Sequence, residues 1–343
     1  MARPGGKLTT RLVTLASAGL ASGLALLTAL VVYVGTGELA RTLASAGAGL
    51  LWVSLFHVVP ITASALGWYA VIAPVERPCL RTMIWARWIA ESINQLLPAL
   101  HVGGNVVRAQ RLARAGVPGG LAAASVVVDI TLHLFAQLIF TALGLSILLK
   151  HANGLGVDGG VVAGFVLSTA GAAAFYVAQR HGLFTAAAGS FRRVFRYPEW
   201  SSVSQGAGAI DAWIAGLYEY QWSLAHAEFW HVVSWLLGTG ETWLALRFLG
   251  HPVDLTTALV IESFGEAVRT AAFPIPGALG VQEGSFVMLG GFFGLAPGVS
   301  LALSLAKRVR ELGLGIPGLI VWQVERAVAA RAGRRAACGE VAG

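Results

Sequence analysis

Apolar residues dominate the windows 12–34, 49–72, 118–149, 161–179, 229–249 and 297–322, with few charges to interrupt them. Each window is near the roughly 20 residues that carry an α-helix across a hydrocarbon core of about 30 Å, so the pattern predicts six transmembrane helices. Two further apolar stretches are broken. The first, 83–107, is interrupted by Pro98 and by Gly103-Gly104, and the second, 255–293, by the run Phe273-Pro274-Ile275-Pro276-Gly277-Ala278-Leu279-Gly280. Proline removes a backbone donor and glycine gives up conformational order, so neither stretch continues as one helix. At membrane depth such breaks persist only where protein or a wet cavity satisfies the backbone, which predicts two re-entrant hairpins and a binding site near them.

Basic residues set the topology. Arg3, Lys7 and Arg11 precede the first window; Arg77, Arg81 and Arg87, then Arg108, Arg111 and Arg114, flank the first hairpin. Arg180, Arg192, Arg193 and Arg196 follow the window 161–179, and Arg326, Arg331, Arg334 and Arg335 follow the last. The positive-inside bias places all of these, and both termini, in the cytoplasm. The first window is long for the apolar part of a signal peptide and reads as an uncleaved span. Residues 35–48 read as a short loop. Residues 181–228, rich in tryptophan and tyrosine, read as an insertion of interfacial helices or as a cytoplasmic connector.

Span, span, hairpin, span then occurs twice, over 12–150 and 160–325, with the second copy starting from the opposite face. The interval from Pro98 to Pro276 matches that from Pro118-Gly119 to Pro297-Gly298 to within a single position. The polar positions repeat as well: Arg87, Glu91 and Asn94 map onto Glu262, Glu266 and Arg269 at one common offset, each set on one helical face. Inverted repeats with interrupted helices are an architecture of secondary transporters, whose substrate site lies between the repeats. Charges inside a membrane are costly, about 2.5 to 3.5 kcal/mol each on insertion scales, so the two stripes should face each other or water. A buried ion-pair network that only holds the hairpins together is the alternative reading.

The last window holds Lys307, Arg308, Arg310 and Glu311, and its counterpart holds Asp129 and His133. Lys307 and Glu311 are one turn apart and able to pair along the helix. The offset from Pro118 to Pro297 sets Asp129 against Arg308, predicting an ion pair from Asp129 to Arg308 or Arg310, with a lipid-phosphate role for the arginines as the alternative. His133 beside Asp129 suits a proton-coupled step, whereas His57 and His101 read as core polar residues without a second ligand at metal spacing. Gln282 and Glu283 follow the second break, where helix-terminal amides favour an anion or polar head group; capping by Glu283 is the competing reading.

Composition agrees with a membrane protein: 343 residues, 56% hydrophobic and 12% charged, with a mean hydropathy of +0.70. Among 24 basic residues most are arginine, and the net charge of +7 follows from the loops. Cys79 and Cys338 fall on the cytoplasmic side, so no disulfide is expected. No phosphate loop, zincin helix or nucleophile elbow is present, so no cofactor, no metal and no ATP-driven pumping by this chain are expected.

The run Pro276-Gly277-Ala278-Leu279-Gly280-Val281-Gln282-Glu283-Gly284, with Glu91-x-x-Asn94-x-x-x-Pro98 and Gly103-Gly104 before Arg108, resembles the flippase-like family named after the transmembrane region of lysylphosphatidylglycerol synthase. The form of the second break is most similar to its hopanoid-biosynthesis-associated branch. Ala278 stands where a second glycine is common in the wider family. The resemblance implies an all-α polytopic protein of the bacterial inner membrane, not an enzyme, that moves a hopanoid or another polar-headed or isoprenoid-linked lipid between leaflets. Membrane lipids are its expected partners and nucleic acid is not; lipid-synthesis enzymes and a homo-oligomer stay open. Two other classes stay open too: a membrane-embedded enzyme using Glu91 and Glu266 on lipid head groups, and a non-transporting accessory protein of a lipid-synthesis complex.

Overall fold

The computed structural model of this chain describes residues 28–33, 35–97, 103–151, 159–194, 200–272, 275 and 278–341. Among them the backbone is helical and no strand occurs. Helices satisfy their own amides and carbonyls, which suits a chain with this much apolar surface in a bilayer. Three helical stretches have the length and composition to cross a membrane: Gly49–Ile72, Gly119–Lys150 and Val162–Arg180. Of the other expected spans, 12–34 falls mostly outside the described residues. The windows 229–249 and 297–322 are helical but carry charge within them, Glu241 and Arg247 in one and Lys307, Arg308, Arg310 and Glu311 in the other.

The expected loop 35–48 is instead a helix, α1 (Thr36–Ala46), bracketed by Gly35 and Gly47 at φ of 91° and 45°. Leu39, Leu43 and Ala46 recur on one face of it, and Leu39 and Ala46 are buried. That helical period is short but present in the sequence. The next apolar window is two helices, α2 (Gly49–Phe56) and α3 (Val58–Ile72), joined at His57. Pro60 has no amide to reach the Phe56 carbonyl one turn back, so the helix kinks there. The His57 ring beside it reaches Glu91 and Glu241.

Two helix-break-helix units follow this plan. The first is α4 (Leu80–Leu96) and α5 (Gly103–Arg114), of 17 and 12 residues. Gly104 lies against α4: its N–H donates to Asn94 Oδ1 at 2.9 Å, and a Cβ there would meet the Ala90 carbonyl oxygen at 2.1 Å. Only glycine permits that approach. The chain continues into α6 (Gly119–His151), α7 (Gly159–Arg180), α8 (Leu183–Val194) and α9 (Trp200–Leu217). The expected insertion 181–228 is therefore largely helical, and it contributes Ile214, Leu217 and Tyr218 to an apolar cluster with Trp68, Met83 and Leu121.

Helix α10 (Gln221–Phe248) begins before the expected start at 229. The second unit is α11 (Leu255–Ala271) and α12 (Val281–Phe292), again of 17 and 12 residues. Asp254 caps α11 by accepting from the Thr257 N–H at 3.2 Å. Gly280, at a φ of 75°, opens α12. The final helix, α13 (Pro297–Val341), runs through the expected end at 322. A second apolar cluster joins Leu39, Val53, Leu246, Ile261, Phe286 and Leu301 from α1, α2 and α10 to α13.

Candidate functional site

The site is built from the two 17-residue helices. Arg87, Glu91 and Asn94 on α4 and Glu262, Glu266 and Arg269 on α11 line one cavity of about 420 Å³. That size lies within the roughly 300 to 1,000 Å³ typical of ligand pockets. Arg108 from α5, His133 and Gln137 from α6, Glu241 from α10, Arg310 from α13 and His57 at the kink complete its polar wall, while Pro60, Ile61, Leu134 and Trp235 supply apolar surface. Four arginines face four glutamates around this space. The balance means that placement of charge, not its sum, decides what fits.

Near α4 the centre is Asp129, which is buried. Its Oδ2 lies 3.1 Å from Arg87 Nη1 and 2.7 Å from Arg108 Nη2, and its Oδ1 lies 3.0 Å from His231 Nε2. The Arg108 guanidinium also stacks over Trp68 at 4.5 Å from the ring centroid. Burial of an arginine demands such partners, because its charge is never shed. His133 sits 3.3 Å from His231 through their Nδ1 atoms and stacks on Trp235.

Near α11 the centre is Lys307, also buried. Its Nζ lies 2.5 Å from Glu262 Oε2 and 3.9 Å from Glu266 Oε1. Thr242 Oγ1 donates to the same Glu262 oxygen at 2.5 Å. Glu311 gathers three arginines: Arg269 at 2.8 Å, Arg308 at 3.0 Å and Arg310 at 3.5 Å. Gln137 donates to Thr270 Oγ1 at 2.8 Å and to the Glu266 carbonyl at 3.1 Å, tying α6 to α11.

Two sequence expectations are corrected here. Asp129 meets neither Arg308 nor Arg310; Arg308 Nε lies 3.2 Å from Glu283, and Arg310 Nη1 lies 2.7 Å from Glu241. The reason is competition: both Asp129 oxygens are already taken by Arg87, Arg108 and His231, and Arg308 and Arg310 each have a nearer carboxylate. Lys307 and Glu311 do not pair either. One turn along a helix brings their Cβ atoms close, but Lys307 turns to the carboxylates of α11, and Glu311 is already held by arginines.

Around the second break, Glu283 is buried and turned to its own helix terminus: its Oε2 accepts from the Gly280 N–H at 2.7 Å. Its Oε1 takes Ser304 Oγ and Arg308 Nε, both at 3.2 Å. The anion at this helix end is the protein's own, which favours the capping reading over a head group held by those amides. Gln282 is fully buried, and among the described residues neither its Nε2 nor its Oε1 has a hydrogen-bond partner. Gly103 opens α5. Pro98, His101, Pro274, Pro276 and Gly277 lie outside the described residues.

Sequence reasoning took His57 for a core polar residue and passed over Glu241 and His231. His57 Nε2 lies 2.7 Å from Glu91 Oε1 and its Nδ1 2.6 Å from Glu241 Oε2, so it joins α4 to α10. Glu241 had a signal, being a carboxylate within an apolar window, where charge is expensive and marks function or pairing. The histidines had none, since their partners are distant along the chain. Among the described residues no group of His, Cys, Asp and Glu is arranged to hold a metal ion.

No curated protein and no solved structure matches the chain. A family model does, over residues 17–318, and its description is the lysylphosphatidylglycerol synthase TM region. With charged stripes buried around a cavity between apolar helices, and with that match over most of its length, this chain is a membrane protein acting on lipids and belongs to the lysylphosphatidylglycerol synthase TM region family.

Proposed function

We propose that the chain is a lipid translocase, not an enzyme, which moves a hopanoid or another polar-headed or isoprenoid-linked lipid between the leaflets of a bacterial inner membrane. The observation that carries this reading is the meeting of the two stripes: side chains at equivalent places in the two halves, on helices of equal length, line the same cavity. The reading includes six spans and two re-entrant hairpins in inverted repeats over 12–150 and 160–325, with both termini cytoplasmic. Equal pairs of helices, 17 and 12 residues in each unit, support the repeat. The basic clusters support the orientation. The hopanoid cargo rests on the resemblance of the run from Pro276 to Gly284.

The head group would lie in the cavity against Arg87, Glu91, Asn94, Arg108, Glu262, Glu266 and Arg269, with its tails in lipid. Glu266 is the side chain best placed to receive it. Its nearest cations, Arg269 and Lys307, stand at 3.8 and 3.9 Å, beyond hydrogen-bond length, so its oxygens retain capacity for a ligand donor. Alternate opening of the two helix-break-helix units would expose the head group to either side.

Lipids that copurify with the full chain, identified by mass spectrometry, supply the cargo panel for vesicles of phosphatidylethanolamine and phosphatidylglycerol carrying a fluorescent head group. Chemical quenching should proceed past the outer-leaflet fraction, and Glu266→Gln should slow it about tenfold, the effect of about 1.4 kcal/mol. Quenching that stops at the outer leaflet for every lipid overturns the reading. Recovery of covalently altered lipid would instead favour the enzyme with Glu91 and Glu266 as acid and base.

A further inference from the structure

We infer that His57, with Glu91 and Glu241, forms a proton-binding site in which the ring is held as an imidazolium, and that release of this proton breaks the tie between α4 and α10. The site is a matter of counting hydrogens. Both ring nitrogens stand at hydrogen-bond length from a carboxylate oxygen, Nε2 at 2.7 Å from Glu91 Oε1 and Nδ1 at 2.6 Å from Glu241 Oε2. A contact that short needs a hydrogen within it. Neutral imidazole carries only one N–H, so the pair of contacts requires a second proton.

The partners place that proton on the ring. Glu91 Oε1 already accepts from Gln95 Nε2 at 2.9 Å. Glu241 Oε2 already accepts from Arg310 Nη1 at 2.9 Å, and Glu241 Oε1 from the same nitrogen at 2.7 Å. Hydrogen bonds donated by the Gln95 amide and the Arg310 guanidinium favour the ionised form of both carboxylates, which leaves the hydrogens on nitrogen. Arg310 Nη1 stands 2.9 Å from Nδ1 as well. It does not replace the missing hydrogen, because a bare Nδ1 would still point its lone pair at Glu241 Oε2.

The groups facing His57 are therefore Glu91 from α4, Glu241 from α10 and Arg310 from α13. With the proton in place two positive groups meet two negative ones. Without it a buried negative charge remains, and one of the two N···O contacts becomes repulsive. Glu91 is the partner to yield, since its side chain is 25% exposed against 1% for Glu241, and it lines the cavity. An N–H bond breaks, the proton leaves through the cavity to solvent, and the tie that His57 makes between α4 and α10 is lost, while Trp88 Nε1 still donates to the Leu314 carbonyl and keeps α4 on α13. The consequence for transport rests on the translocase reading; the protonation of His57 does not.

The test uses the full chain, labelled with ¹⁵N-histidine, in nanodiscs of phosphatidylethanolamine and phosphatidylglycerol. The chain has 8 histidines, and the His57 signal is the one that disappears in His57→Gln. Both of its nitrogens should resonate as protonated between pH 6 and 7, and a bare nitrogen in that interval overturns the site. If His57→Gln fails to fold, Glu91→Gln serves instead: it should displace the nitrogen signals of one histidine, which is then His57, and signals unmoved at every histidine overturn the site. In vesicles, an imposed pH gradient should change the wild-type lipid-transfer rate at least about threefold, and His57→Gln should bring the ratio with and without gradient to one. Equal wild-type rates overturn the coupling. Absence of transfer under every condition removes the translocase reading and the coupling together, while the nitrogen signals still decide the proton site.

Discussion

The Asp129 and Lys307 centres occupy matching places and carry opposite charge. Arg87 on α4 meets Asp129 on α6, and at the corresponding places in the second half Glu262 on α11 meets Lys307 on α13. A second cation, Arg108, stands on Asp129, and a second anion, Glu266, stands by Lys307. One centre thus has surplus positive charge, the other surplus negative charge, and the cavity lies between them. The common feature is the position of an ion pair linking the first helix of a helix-break-helix unit to the long helix after it; its sign is not fixed. A buried pair is weak evidence for stability, since desolvation offsets much of the attraction, but breaking one is costly.

The largest expected effect separates the two centres. Asp129→Ala leaves Arg87 and Arg108 facing each other in a buried site, and arginine cannot lose its proton. Destabilisation of about 3 to 5 kcal/mol follows, at any pH between 5 and 9. Lys307→Met leaves Glu262, which retains the Thr242 hydroxyl at 2.5 Å and can take up a proton. Its cost should be smaller, and smaller at pH 5 than at pH 8. Thermal unfolding of the detergent-solubilised variants across pH measures both; equal, pH-independent losses would remove the distinction.

Charge exchange comes next. Glu262→Lys with Lys307→Glu restores the direct pair, and Glu266, at 3.9 Å from Lys307 Nζ against 2.7 Å for Arg108 on Asp129, opposes the exchange less, so the double variant should recover about 1 to 3 kcal/mol relative to the sum of the singles. Arg87→Asp with Asp129→Arg should not recover, because Arg108 and His231 remain in place around the new arginine. A double-mutant cycle on each pair, read by chemical denaturation, checks this. Recovery in both would mean that Arg108 does not share Asp129.

The same contrast explains what could be read from the chain beforehand. The stripes, the breaks and the basic clusters are local patterns of period and composition, and they located both stripe-bearing helices and the cavity wall. The ion pairs are long-range, and the sequence could only rank them by offset. An offset taken from Pro118 and Pro297 differs by a single position from that of the helix starts, which on a helix turns a side chain by about 100° and replaces Lys307 with Arg308. His57 gave no local signal beyond the nearby Pro60 kink, and α1 was hidden in a short polar segment with only Leu39, Leu43 and Ala46 along its apolar face. Glu241 was legible as a lone carboxylate in an apolar window, but its partners His57 and Arg310 were not.

The smallest effects concern the second helices of the hairpins, where the halves differ in packing rather than charge. Gly104 on α5 and Gln282 on α12 are related by the same offset as Asp129 and Lys307, and their surroundings are opposite. At Gly104 the backbone of α4 is so near that a methyl group would strike the Ala90 carbonyl. Gly104→Ala should therefore separate α4 from α5, break the Asn94 contact to the Gly104 amide, and cost about 1 to 3 kcal/mol. At Gln282 a buried amide has no partner for either polar atom. An unsatisfied buried polar group costs about 1 to 3 kcal/mol, so Gln282→Met, of similar length, should raise stability by about 1 kcal/mol. Measured side by side, a gain at 282 with unchanged lipid transfer marks the amide as a flaw in packing. A gain in stability with a fall in transfer marks it as a group kept unpaired for a ligand that enters beside the second break.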